Sequence, residues 1–105
     1  MNYEVRFSKR SQEDLISIYE YISAKRDSSR ALAYFERIRD YCLTLNRFPQ
    51  RGTSYNDVVR GVRVVGFERR VSIAFRIKGR TVEIVRVMYG GRDIEKILKT
   101  GRKDR

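Results

Sequence analysis

The stretch Thr81 to Tyr89 constrains the fold more than any other. Read as a strand, it puts Val82, Ile84 and Met88 on one face and Val85, Val87 and Tyr89 on the other. A strand apolar on both faces needs cover on both, so it belongs inside a sheet rather than at its edge. Two β-branched runs precede it, Val62 to Phe67 and Val71 to Ile77, and Lys78-Gly79-Arg80 is a short glycine-containing turn of the hairpin kind. Together these runs predict an antiparallel meander.

The N-terminal half supplies the covering layer. Tyr3, Val5 and Phe7 alternate with Asn2, Glu4 and Arg6, the period of a strand with one buried face. Ser8 and Ser11 both offer helix N-caps, and Ser11 followed by Asp14 has the spacing of a capping box. Leu15, Ile18, Tyr19 and Ile22 then predict a helix to about Lys25. Beyond the Asp27-Ser28-Ser29 turn, Ala31, Tyr34, Phe35, Ile38, Tyr41, Cys42 and Leu45 make the stripe of a second amphipathic helix. Two such helices joined by a short turn pair as an antiparallel hairpin and lay their apolar surface on the sheet.

The only proline, Pro49, ends the second helix and opens a polar loop reaching about Arg60. After Gly90-Gly91, Asp93 to Leu98 predicts one or two helical turns with Asp93 as N-cap. Lys99, Arg102, Lys103 and Arg105 follow in a stretch too polar to pack, expected to be disordered from about Thr100. The order strand, two helices, three strands reads as α+β: an N-terminal strand and a helical hairpin packed on a mainly antiparallel sheet that three C-terminal strands complete. The expected organisation is one domain over residues 1–99 and a basic tail over 100–105.

Charge narrows the partners. Lys plus Arg number 24 against 13 Asp plus Glu, a net charge of +11, which implies a polyanion: nucleic acid, an acidic membrane surface or an acidic protein segment. Of the basic residues 18 are Arg, the side chain suited to bidentate pairing with phosphate or carboxylate. The single cysteine, Cys42, makes no intrachain disulfide, and no apolar N-terminal segment reads as a signal peptide or membrane anchor. Cytoplasmic location and no membrane partner are expected.

With no histidine, and its one cysteine on an apolar helix stripe, the chain lacks the usual nucleophile pairs and zinc-ligand sets. Cys42 reads as a small buried hydrophobe. Glu13, Asp14, Glu20 and Glu36 are accounted for by helix-end and surface roles, and no carboxylate pair stands out. Arginine is more specific: Arg63 and Arg86 sit inside strands, where a charge is costly unless it meets a partner or water. Arg86 interrupts an apolar face, so it either pairs with an internal carboxylate, Asp93 or Glu83, or points to a groove that receives a ligand. Tyr89 reads as a core or rim aromatic, with stacking or hydrogen bonding beside a nucleic acid as the functional alternative. Arg69 and Arg70 read as a solvated pair in a turn.

Asp14-Leu15, Tyr19-Glu20-Tyr21-Ile22, Phe48-Pro49-Gln50-Arg51-Gly52, Gly61-Val62-Arg63 and Val85-Arg86-Val87-Met88-Tyr89-Gly90-Gly91-Arg92-Asp93, in this order, give a sequence that resembles the ParE toxin family over roughly residues 3 to 98. The resemblance implies the toxin of a type II toxin–antitoxin module, one that poisons DNA gyrase by binding and needs no cofactor or metal. It also implies a cognate antitoxin that wraps an extended segment around the toxin. Candidate antitoxin contacts are Tyr3, Val5, Ile18, Tyr21 and Tyr34; candidate target contacts are Arg63, Arg86, Tyr89 and Arg92.

The superfamily also contains RelE-like toxins, which cut messenger RNA on the ribosome, and on their pattern Arg63, Arg86 and Tyr89 become catalytic candidates. Such nucleases carry a Lys-rich segment before the Gly-hydrophobic-Arg strand, whereas Phe48 to Gly61 here holds Arg51 and Arg60 and no Lys. Arginine steadies charge but stays protonated, so it is a poor general acid or base. A binding toxin is therefore the first reading, a metal-independent endoribonuclease the second, and a basic nucleic-acid-binding module the third.

Overall fold

The computed structural model describes residues 2–91 and 93–103, the side chains of 101–103 excepted. The elements are β1 (Glu4–Phe7), α1 (Lys9–Lys25), α2 (Ser28–Leu43), a 3-10 turn (Thr44–Asn46), β2 (Thr53–Ser54), β3 (Val62–Phe67), β4 (Val71–Lys78), β5 (Thr81–Tyr89) and α3 (Ile94–Lys103). The strands form one sheet in the order β1-β5-β4-β3-β2. The β1 strand runs parallel to β5, from Glu4 opposite Thr81 to Phe7 opposite Ile84, and the other pairings are antiparallel. As its apolarity on both faces requires, β5 lies inside the sheet.

Each helix starts at a side-chain cap. The Ser8 Oγ accepts from the Ser11 amide at 3.0 Å and donates to the Val85 carbonyl at 3.0 Å, while the Ser8 amide donates to Ile84. One serine thus starts α1 and anchors it to β5. No capping box forms at Ser11, which is buried inside the first turn with its hydroxyl donating to the Ser8 carbonyl. Asp27 caps α2 by accepting from the Arg30 amide at 2.8 Å.

The hairpin of α1 and α2 covers one face of the sheet, with Leu15, Ile18, Ile38, Cys42 and Leu45 against Ile73, Phe75, Val82, Ile84 and Val87. On the other face Val62, Val64, Ala74 and Met88 lie beneath Leu98, Ile94 and Ile97 of α3 and Tyr55, Val58 and Val59 of the long loop. Each fully buried aliphatic or aromatic side chain contributes about 1.5–3 kcal/mol relative to exposure.

Strict alternation along β5 does not hold. Ala74 faces Arg86 but Phe75 faces Ile84, which leaves Val85 as an extra residue. A bulge of this kind resets which side chains share a face. Val87 therefore joins Val82 and Ile84 under the hairpin, and Met88 goes to the α3 side.

Two further differences concern the ends of elements. The loop after Pro49 carries the short strand β2, paired with β3 through Thr53 and Val64. It is entered at Gly52 (φ 81°), where a Cβ would strike the Val64 carbonyl oxygen, so only glycine fits. Helix α3 is capped by Asp93 as expected, its Oδ1 accepting from the Lys96 amide at 3.1 Å. The helix then continues to Lys103, further than the one or two turns expected. Thr100 bonding back to the Lys96 carbonyl at 2.9 Å, and a Glu95–Lys99 pair one turn apart, carry the helix past Leu98.

Candidate functional site

Strand β1 ends at Phe7, so beyond Ile84 the edge of β5 that faces away from β4 has no strand beside it. Helix α1 fills that place with side chains. The Asp14 Oδ2 accepts from the Val87 amide at 2.8 Å and from Arg86 Nε at 2.8 Å, while Oδ1 accepts from Arg86 Nη2 at 3.0 Å. Both side chains of this fork are 12% exposed. Arg86 is thus paired internally, with neither of the carboxylates expected: Glu83 bonds Arg76 at 2.9 Å, and Asp93 caps α3. Asp14 is correspondingly not a helix-opening surface residue. Its partner lies 72 positions away, which no local pattern in the sequence discloses.

Beside the fork lies a small recess of about 100 Å³ lined by Asp14, Tyr21, Arg86, Met88 and Tyr89 among others. Tyr89 links it to a larger open cleft of about 450 Å³ at the loop end of the hairpin. Tyr21 and Tyr34 pack on Tyr89 with centroids 5.7 and 6.2 Å away, and cations cap the row, Lys25 over Tyr21 at 5.2 Å and the Arg37 guanidinium over Tyr34 at 5.1 Å. Burial, with Tyr89 and Glu68 nearby, raises the Tyr34 pKa and keeps it a neutral phenol.

The walls of the large cleft are cationic, with Arg26, Arg30, Arg37 and Arg70 around one carboxylate, Glu68. Arg37 holds both Glu68 oxygens, Nε to Oε2 at 2.9 Å and Nη2 to Oε1 at 3.0 Å. That hydrogen-bonded partner pulls the Glu68 pKa below its ordinary value. Glu68 (φ 49°) and Arg69 (φ 67°) are both left-handed, a conformation costing about 1–2 kcal/mol in a non-glycine residue.

The expected site residues do not converge on one point. Arg63 is tied into the Pro49 loop, Nε donating to the Arg51 carbonyl at 2.9 Å and Nη2 to Gly52 at 3.4 Å, and it lines neither cleft. Arg86 and Tyr89 share the small recess. Arg92 lies outside the described residues. Of the candidate antitoxin contacts, Tyr21 is exposed, and Tyr3, Val5 and Tyr34 are half-buried. Ile18 is 6% exposed and belongs to the core, so it does not stand on the hairpin rim; its apolarity reflects the inward face of α1. Arg26 and Arg30 carry no signal in the sequence and Arg70 reads there only as half of a solvated turn pair, because a cluster drawn from two helices and a turn shows no spacing. Among the described residues no group of three metal-ligating side chains gathers, and no helix is long and apolar enough to cross a membrane.

A family model for the ParE toxin of type II toxin–antitoxin systems, parDE, matches residues 5–94. The chain belongs to the ParE toxin family. Solved structures agree on the fold. This ParE-family chain is similar to a protein of the chromosomal ParDE toxin–antitoxin system from P. aeruginosa, with 24% identity, a TM-score of 0.75, and 85% of this chain and 97% of that one covered. It is also similar to a chain of the toxin–antitoxin complex RelBE2 from Mycobacterium tuberculosis, with 22% identity, a TM-score of 0.65, and 85% and 92% covered. No curated protein sequence matches it. The α+β fold expected of a ParE/RelE-like toxin is the fold observed.

Proposed function

We propose that this ParE-type toxin inhibits DNA gyrase in the cytoplasm by binding it, without catalysis, and that a cognate antitoxin neutralises it. Residues 1–99 act as the toxin domain. The observation that carries the binding reading is the closed fork between Arg86 and Asp14. An arginine whose Nε and Nη2 are held by a carboxylate, beside a strand amide held by the same group, serves the fold. It is not free to steady the charge of a cleaving phosphodiester. Arg63 is likewise held by backbone carbonyls of the Pro49 loop.

An acidic, amphipathic antitoxin segment suits the surface. The helical hairpin exposes Ile16 (54%), Tyr21 (49%) and Leu32 (49%) on a chain of net charge +11. Half-buried Val5, on edge strand β1, and Tyr3 just before that strand border the hairpin side of the sheet. Similarity to proteins of two solved toxin–antitoxin systems supports the same partner class.

The test is gyrase supercoiling of relaxed plasmid with purified toxin, scored for trapped cleaved DNA, with messenger cleavage on programmed ribosomes run beside it. Inhibited gyrase with intact message is the expected result. Message cut on ribosomes with gyrase untouched would overturn the proposal and return Arg63, Arg86 and Tyr89 to catalytic candidacy.

A further inference from the structure

The large cleft concentrates positive charge that the fold does not use. Its one carboxylate, Glu68, has both oxygens taken by Arg37. Arg30 meets Asp27 only at 3.7 Å, in an exposed pair. Arg26 and Arg70 have no carboxylate partner among the described residues. Like charges brought together on one concave surface repel, and a bound anion relieves that repulsion.

Two more features show that the cleft suits a ligand with both charge and flat rings. Half-buried Tyr34 and Tyr89 line it, and Tyr21 and Lys25 extend the row of rings and cations along the hairpin. Aromatic rings flanked by cationic groups suit a single strand of nucleic acid, since its bases stack while its phosphates take charge-assisted hydrogen bonds. The turn that carries Arg70 is held in place at a cost: two consecutive residues, Glu68 and Arg69, stay left-handed, and Glu68 is locked to α2 through Arg37. Arg70 follows directly and lines the cleft wall.

We propose that this cleft, walled by Arg26, Arg30 and Arg70 beside Tyr34 and Tyr89, binds the phosphates and bases of a single-stranded nucleic acid. The inference goes beyond the toxin reading and does not depend on which macromolecule the toxin inhibits. An acidic peptide would satisfy the guanidinium groups but offers no flat bases to lie against the half-buried rings, which is why the nucleic acid is favoured. A cleft of about 450 Å³ admits a nucleotide unit or two, whereas a duplex keeps its bases stacked inside and away from the tyrosines.

The test measures fluorescence anisotropy of a labelled oligothymidylate 12-mer against the full chain over a series of salt concentrations. Wild type is compared with R26A/R70A and with K78A/R80A, which removes the same charge at the β4–β5 turn, the other end of β4. All the substituted side chains are exposed, so thermal melts of both variants should match wild type. The expected result is binding that R26A/R70A weakens about tenfold, with the slope of log affinity on log salt falling by about 1.4, two contacts at about 0.7 each, while K78A/R80A changes it far less.

Equal weakening by the two variants would mean a diffuse field and no site, and would overturn the proposal; so would absence of binding by wild type. A labelled decaglutamate that binds more tightly than the oligonucleotide, and does so through Arg26 and Arg70, would overturn it in favour of an acidic peptide. A 12-base-pair duplex bound more tightly through the same residues would overturn the single-strand assignment.

Discussion

At Asp14 one carboxylate accepts from a guanidinium and from a strand amide with little water nearby. Removing one member of such a pair leaves the other charge buried alone, at a cost of about 3–5 kcal/mol. Asp14→Ala should lower the unfolding free energy in urea by about 3 kcal/mol. Asp14→Leu combined with Arg86→Met should recover part of that loss, because no charge is left without its partner although the Val87 amide still lacks its acceptor. A double variant as unstable as the single one would show that the cost lies elsewhere. Cys42 makes a second residue-level prediction. Burial pushes its thiol up to about 12 from an ordinary 9.0, so the folded chain keeps a proton that the unfolded chain gives up. The stability tied to that proton is fully present below pH 9.0 and is lost as pH rises towards 12. Tyr34, also raised by burial, adds to the loss above its ordinary 10.0. The urea midpoint of Cys42→Ala should therefore fall less than that of wild type between about pH 8 and about pH 10.

Among the elements, the Pro49 loop depends most on one residue. Gly52→Ala places a methyl group against the Val64 carbonyl at a left-handed position, and should cost about 2 kcal/mol or more in thermal or urea unfolding. Stability within a few tenths of wild type would mean that the loop moves aside freely. Most of these elements are legible in the sequence, because burial on one face imposes a period that composition displays. Ala31 to Leu45 shows the helical period, Tyr3 to Phe7 the strand period, and Thr81 to Tyr89 the covered interior strand. What escapes is whatever two distant segments decide together. The bulge at Val85 depends on how β5 meets β4, and Ser8 prevails over Ser11 as a cap because it also bonds β5. The partner of Arg86 sits on a helix 72 residues earlier. The candidate site was half legible for the same reason: Tyr89 and Tyr34 stood out, but Arg70 reads as an ordinary turn residue until the hairpin is laid beside it.

Over the whole molecule, a net charge of +11 sets a field that reaches beyond any single contact. Association with an acidic antitoxin should be fast at low ionic strength, and stopped-flow association rates should fall steeply with added salt while dissociation changes little. A rate indifferent to salt would mean that the partner contact is steered by shape alone. The order of the sheet has a consequence for synthesis. The first strand made, β1, docks on the last, β5, and β5 also borders β4. A growing chain therefore holds a helical hairpin and a partial meander with no strand to join them until Thr81 to Tyr89 has been made. A chain that stops short of Thr81 lacks the strand on which both halves close, so translation itself delays the moment at which a harmful protein becomes whole.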